Sequence, residues 1–442
     1  AKSNRKVGII PAIAVTVGSM VGVGVFTSLG YQVVSFESGA VIAALWILGG
    51  LYALCGALCY AEVTTAFPRS GGEYQLLSRL YHPAVGFMSG WVSVTVGFAV
   101  PTALAAMAFD RYFGGAWGGG GGGGGYSFPA AGLSVLLFGT AIHLVSLRWS
   151  GRFQAVLTTG KVLLIAGLIV FLAAFSKGEG GSFFPGLNAP GEFAWGAFAI
   201  SFLYVTYAYS GWNSAAYIAG EIRDPNRSLP VIFITSTLFV TGLYLTVNLA
   251  MFSSTPLSEM AGRNEVAFVA ANHVFGGSAG RLIAGLISFG LLSAVGAMMW
   301  AGPRVAKTIG EDLPQLRWFA KTNRGGIPVR ATALQFVIAA VFILTNRFES
   351  AVVYIELAFL VTLGLTVAGV FVLRFRFPEV ERPYSTFGYP WTPVLFLLVT
   401  VIVGYQTLLV RKVEFFLGII TLSSGLLVFY AITRGWKIRR SH

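Results

Sequence analysis

Apolar runs of about 20 residues, each long enough for roughly 30 Å of hydrocarbon, alternate with short polar loops along nearly the whole chain. The pattern predicts twelve helices, at 8–34, 39–66, 83–111, 127–146, 152–175, 191–220, 229–252, 279–309, 329–345, 349–374, 391–411 and 414–433. Two of them carry a defect. In the first, Gly18-Ser19-Met20-Val21-Gly22-Val23-Gly24-Val25-Phe26 places three glycines within seven residues, and each glycine costs about 1 kcal/mol of helix stability relative to alanine. In the sixth, Tyr207-Ala208-Tyr209-Ser210-Gly211-Trp212-Asn213 gathers glycine, serine and asparagine inside an apolar run. Broken backbone at membrane depth survives only where protein covers it or a cavity adjoins it. It offers free N–H groups, carbonyls and helix-dipole ends to a small ion or zwitterion. A ligand of amino-acid size would find N–H groups at the first break and carbonyls at both, its carboxylate facing the N-terminus of a half-helix.

Composition narrows the class. The 442 residues are 55% hydrophobic and 11% charged, against about 25% charged in soluble domains, so this is an integral membrane protein. Lysine and arginine set the orientation. With the N-terminus inside, cytoplasmic segments hold 22 of the 30, among them Lys2, Arg5, Lys6, Arg304, Lys307, Lys321, Arg324, Arg439 and Arg440. The outer loops hold Arg111, Lys177, Arg263, Arg281, Arg347, Arg411 and Lys412. Both termini are therefore expected in the cytoplasm. The net charge of +13 reflects this loop bias against a lipid bilayer and argues against nucleic-acid binding. No cleavable signal peptide is expected, because the first apolar run is too long and lacks a small-residue cleavage site.

Lys161, inside the fifth run, is the remaining basic residue. A lysine at that depth is costly and faces a protein interior or a pathway; the bland alternative is snorkelling to the cytoplasmic face. Glu356, about two turns into the tenth run, could attract a cation or pair with a buried polar group. Glu62 and Glu73 lie near the inner loop after the second run, where salt bridges with Arg69 or Arg304 are expected. Cys55 and Cys59, one turn apart, read as packing residues. The four histidines are scattered, so neither a metal nor a cofactor is expected, and no nucleophile–base constellation or phosphate loop points to an enzyme. The run Gly118–Gly125 looks like a placeholder between the third and fourth helices.

The chain resembles the amino acid–polyamine–organocation permeases, and within them the L-type amino acid transporters. The resemblance spans essentially all of it. It rests on residues 18–26, on Tyr60-Ala61-Glu62, and on Phe67-Pro68-Arg69-Ser70-Gly71-Gly72-Glu73-Tyr74. Further support comes from residues 207–213, from Glu221-Ile222-Arg223-Asp224-Pro225-Asn226-Arg227-Ser228-Leu229-Pro230, and from Arg382-Pro383-Tyr384 with Gly388-Tyr389-Pro390. It implies an all-α membrane protein with a LeuT-type five-plus-five inverted repeat: 8–175, 191–374, and two additional helices in 391–433.

It also implies site residues. Backbone N–H groups of Val23, Gly24 and Val25 would bind the substrate carboxylate. Carbonyls of Met20, Tyr207, Ala208 and Ser210 would meet the ammonium, and Asn213 would hold a water or the substrate. Tyr207 sits where relatives carry an aromatic lid; Val23 stands where they more often have serine or alanine. Lys161 would replace the sodium of ion-coupled cousins, donating near Gly18, to Ser19 and to Ser293. Animal members join a glycoprotein heavy chain through a cysteine between helices three and four. Residues 112–126 contain none, so no disulfide-linked partner is expected. With the short termini, this suggests a prokaryotic plasma-membrane protein acting alone. The expected function is sodium-independent exchange or facilitated diffusion of neutral L-amino acids, since neither break contains an acidic residue. The alternative is a cationic amino acid or polyamine carrier, proton-coupled in one form, with Glu356 as counter-charge. A nutrient sensor, a channel and a membrane enzyme fit less well.

Overall fold

The structure is a computed structural model that describes residues 7–117, 129–145, 147–184, 194–323, 326–345 and 348–433. The glycine run at 118–125 lies outside the described residues. Among those described there is no strand, only an isolated bridge between Val7 and Ile222. Among the described residues nine helical segments are long and apolar enough to cross a membrane, and three shorter apolar helices accompany them.

The first predicted helix is two: α1 (Ile9–Met20) and α2 (Gly24–Gln32). There follow α3 (Gly39–Ala66), a short α4 (Gly72–Leu80) and α5 (Pro83–Val92). A π-helical turn at Ser93–Gly97 leads from α5 into α6 (Ala99–Trp117). The first half closes with α7 (Ala130–Val145) and α8 (Leu147–Phe175). The sixth predicted helix is also two, α9 (Trp195–Tyr209) and the single turn α10 (Ser214–Tyr217). The chain continues with α11 (Pro225–Ser254), the turn α12 (Leu257–Met260), α13 (Val266–Phe275) and α14 (Gly277–Asp312). Last come α15 (Val329–Thr345), α16 (Phe348–Arg376), α17 (Trp391–Val410) and α18 (Lys412–Thr433).

Hydrophobicity finds the long helices but not α4, α12 and α13, which are too short to span. The third helix also runs further than 83–111, because alanines and aromatics carry α6 to Trp117. The most extensive packing is of α3 on α11 and of α6 on α14. One large core of α1, α2, α3, α9 and α11 side chains sits around the two interrupted helices. By contrast α17 and α18 bury little and present rows such as Leu398, Val401, Tyr405 and Ile420 outward, the lipid-facing surface of the bundle.

Candidate functional site

The two breaks lie against one another. Gly211 has φ +103°, a conformation that side chains other than glycine rarely adopt. A Cβ there would sit 2.7 Å from the Ser19 carbonyl oxygen. Gly24 is as tightly placed: a Cβ would come within 2.5 Å of Ala208 Cα. These two glycines let the halves of the first and sixth helices cross backbone to backbone.

Helix ends leave carbonyls without intrahelical partners. At the end of α1, Lys161 Nζ donates to the Gly18 carbonyl at 3.1 Å, placing a cation at the negative end of a helix dipole. Lys161 is 2% exposed, and its stem packs along Gly290 of α14. Ser19 Oγ donates to Val15 O at 2.9 Å, and Ser293 is fully buried on α14. Tyr244 of α11 sits 2.7 Å from Met20 O and 3.0 Å from Ala208 O, its one hydroxyl proton serving both. One tyrosine thus joins the two breaks.

Beyond them the bundle is sealed on the side of α2 and α13. Tyr31 stacks on Tyr204 with ring centroids 4.7 Å apart and donates to Asn264. Ser28 Oγ donates to Tyr204 O, and Tyr112 to Phe26 O. On the other side, toward the start of α1 and the α3–α4 loop, lies a cavity of about 440 Å³. Ser19, Ser210, Gly211 and Asn213 line it, together with Ser93 and Gly97 of the π turn and Thr158 of α8. Met20, Val23, Gly24, Val25, Tyr207 and Ala208 do not: they are buried between the two breaks. In this conformation the N–H groups assigned to a carboxylate, and the Tyr207 side chain, are packed away from the open space. Ser210 and Asn213 face it.

Glu73 also lines the cavity, 3% exposed, and corrects the expected salt bridge. Arg69 pairs with Asp312 at 2.9 Å, and Arg304 lies over the Trp300 ring, 3.5 Å from its centroid. Glu73 instead accepts from Tyr60 OH at 2.8 Å, from Asn213 Nδ2 and from Tyr217 OH. Neutral donors reach it because α4 turns inward after Gly71 and Gly72, carrying Glu73 away from the loop and its arginines. Beside it on α4, burial and then Asp312 hold the Tyr74 hydroxyl far above the usual tyrosine range. Glu62 pairs with Arg374 of α16, two contacts of 2.8 Å, and accepts from Thr386 N. These partners are hundreds of residues away in sequence, so no local signal announces them. The π turn is likewise unannounced, although such turns recur at functional sites.

The amino acid permease family model matches residues 7–432, a span that includes both breaks, Lys161 and the cavity. The chain belongs to the amino acid permease family. This permease is 26% identical to human b(0,+)-type amino acid transporter 1 over 439 residues, 98% of the chain and 89% of the relative. It is 27% identical to the serine/threonine exchanger SteT of Bacillus subtilis (strain 168), over 97% of each chain. It is 28% identical to rabbit (Oryctolagus cuniculus) large neutral amino acids transporter small subunit 2, covering 86% of the permease and 71% of the relative. The family places it among multi-pass membrane permeases of amino acids. Among the described residues, no group of three or more histidine, cysteine or acidic side chains is arranged to hold a metal, and Cys55 and Cys59 are free thiols.

Proposed function

We propose that the permease is a sodium-independent secondary transporter moving neutral L-amino acids by exchange or facilitated diffusion across the plasma membrane. Of twelve crossings, with α9–α10 and the shorter α7 and α15 included, ten form two inverted repeats of five at 8–175 and 191–374. Residues 391–433 form an appendage. What supports the repeat is the pairing of counterpart helices: the second crossing (α3) packs on the seventh (α11), and the third (α5–α6) on the eighth (α14). The relatives' printed functions, exchange and neutral amino acid transport, support the substrate class. With both termini in the cytoplasm, the cavity opens inward.

The observation that carries the reading is the Lys161 ammonium on the Gly18 carbonyl. It supplies a fixed positive charge to the broken end of α1, where a mobile cation would otherwise be needed. Substrate main-chain atoms then bind at the breaks: the carboxylate on N–H groups of Val23 to Val25, the ammonium on carbonyls of Met20, Tyr207, Ala208 and Ser210. Asn213 borders the ligand, and Tyr207 covers it from outside. Ser19 and Ser293 complete the polar surroundings of the lysine. Closing one face while opening the other requires the α1–α2 and α9–α10 joints to hinge, and both joints are non-helical. The protein needs no cofactor and no disulfide-linked partner in this scheme.

The test is uptake by purified permease in liposomes preloaded with unlabelled amino acids, with and without sodium. Neutral amino acids should enter equally in both media, and the Lys161→Ala variant should lose most of the uptake. An absolute sodium requirement would refute the lysine-for-sodium reading; uptake restricted to polyamines would refute the substrate class.

A further inference from the structure

One ionisable side chain in the cavity wall has no task in that scheme. Glu356 of α16 is 3% exposed and lines the cavity with Thr206 of α9 and Tyr52 of α3. Its Oε1 has no hydrogen-bond partner. Among the described residues it takes part in no ion pair. The other two buried glutamates are fully engaged, Glu62 by Arg374 and Thr386, Glu73 by three neutral donors. The cations that line or adjoin the cavity are committed elsewhere: Lys161 to Gly18, Arg304 to the Trp300 face and Lys307 to Glu311. Burying a carboxylate costs several kcal/mol unless a cation or proton neutralises it. A buried carboxyl oxygen left without a partner in a residue of the cavity wall is therefore a receptor for a positive charge that arrives and leaves.

We propose that Glu356 binds the positively charged side-chain end of a substrate, the ammonium or guanidinium of a cationic amino acid whose main-chain atoms sit at the breaks. Thr206, at the carboxyl group, precedes Ser210 by one turn of α9, about 5.4 Å along the axis. That separation matches the few methylenes between the α-carbon and the distal charge of lysine or arginine. The proposal rests on the cavity being the amino acid site and adds a substrate class to it. Neutral substrates would leave Glu356 to a proton.

The experiment compares lysine with Nε-acetyl-lysine, which keeps the stem and loses the charge, as competitors of labelled neutral amino acid uptake in proteoliposomes. In the wild type, lysine should compete about tenfold better or more. Glu356→Gln should erase most of that advantage while neutral uptake stays within about threefold, and Glu356→Asp should restore part of it. Equal competition by the two compounds in the wild type overturns the proposal, and that comparison decides even if the glutamine variant does not fold. So does a glutamine variant that keeps the preference for lysine. A glutamine variant that loses only a dependence on a pH gradient assigns the carboxyl to a proton and also overturns it. Wild type that transports neutral amino acids without favouring lysine refutes this inference alone; wild type that transports no amino acid refutes the parent reading as well.

Discussion

At the first interruption, Met20 to Phe26 are buried except for Gly22, and none of them lines the cavity. At the second, Ser210 to Ser214 all line it. Both breaks arise from glycine in an apolar run, and both leave carbonyls at the end of a half-helix. The surroundings differ. The first has its carbonyls taken by Lys161 and Tyr244; the second shares Tyr244 through Ala208 O but keeps Ser210 to Ser214 toward open space. A break in a membrane helix is thus a reserve of polar backbone, and neighbouring side chains decide whether it is capped or offered to a ligand.

The strongest way to break this contrast is to force the two interruptions apart. Gly24→Val introduces carbon where Ala208 Cα would be 2.5 Å from a Cβ, and overpacking of this kind costs about 1–3 kcal/mol. Uptake should fall by about tenfold or more with normal insertion in the membrane; uptake near wild type would show that close crossing is not needed.

Removing the cap on the first break is the next test. Lys161→Ala deletes a charge-assisted hydrogen bond worth about 1.5–3 kcal/mol, so transport should drop by about tenfold to a hundredfold. A wild-type rate would mean that the α1 carbonyls do not depend on the ammonium. Tyr244→Phe removes the hydroxyl shared by Met20 and Ala208 and should cost about 1 kcal/mol of thermal stability in detergent. It should also raise the fraction of molecules whose first break is open to labelling of an introduced cysteine. No change in labelling would separate the tyrosine from the linkage of the breaks.

The smallest effect belongs to Val23→Ser. Val23 is 3% exposed and packed between the breaks, so serine reaches a substrate only when the first break opens. Relative uptake across a substrate panel should shift by about twofold to threefold, more than stability does, on the scale of a single weak hydrogen bond. An unchanged ranking removes position 23 from the pocket.

Much of the bundle is legible because hydrophobic length reports directly on membrane crossing, and the glycine clusters report on helix failure at 18–24 and at 211. The short α4, α12 and α13 leave no such trace, since a run too short to span looks like any loop. The Glu73 cluster escaped for another reason. Nothing in Phe67 to Tyr74 says that Tyr60, Asn213 and Tyr217 will converge on its carboxylate, and the nearby arginines suggest a salt bridge that the inward turn at Gly71 prevents.

The sequence by itself determined that this is an all-helical membrane permease with two interrupted helices and a lysine at membrane depth. Those features depend on residue type, run length and spacing along one chain. Only the tertiary structure decided which carbonyl Lys161 reaches, which break faces the cavity, and that Glu356 keeps an oxygen without a partner. Each of these depends on how groups far apart in sequence meet, and burial turns such a meeting, or the lack of one, into free energy that composition cannot reveal.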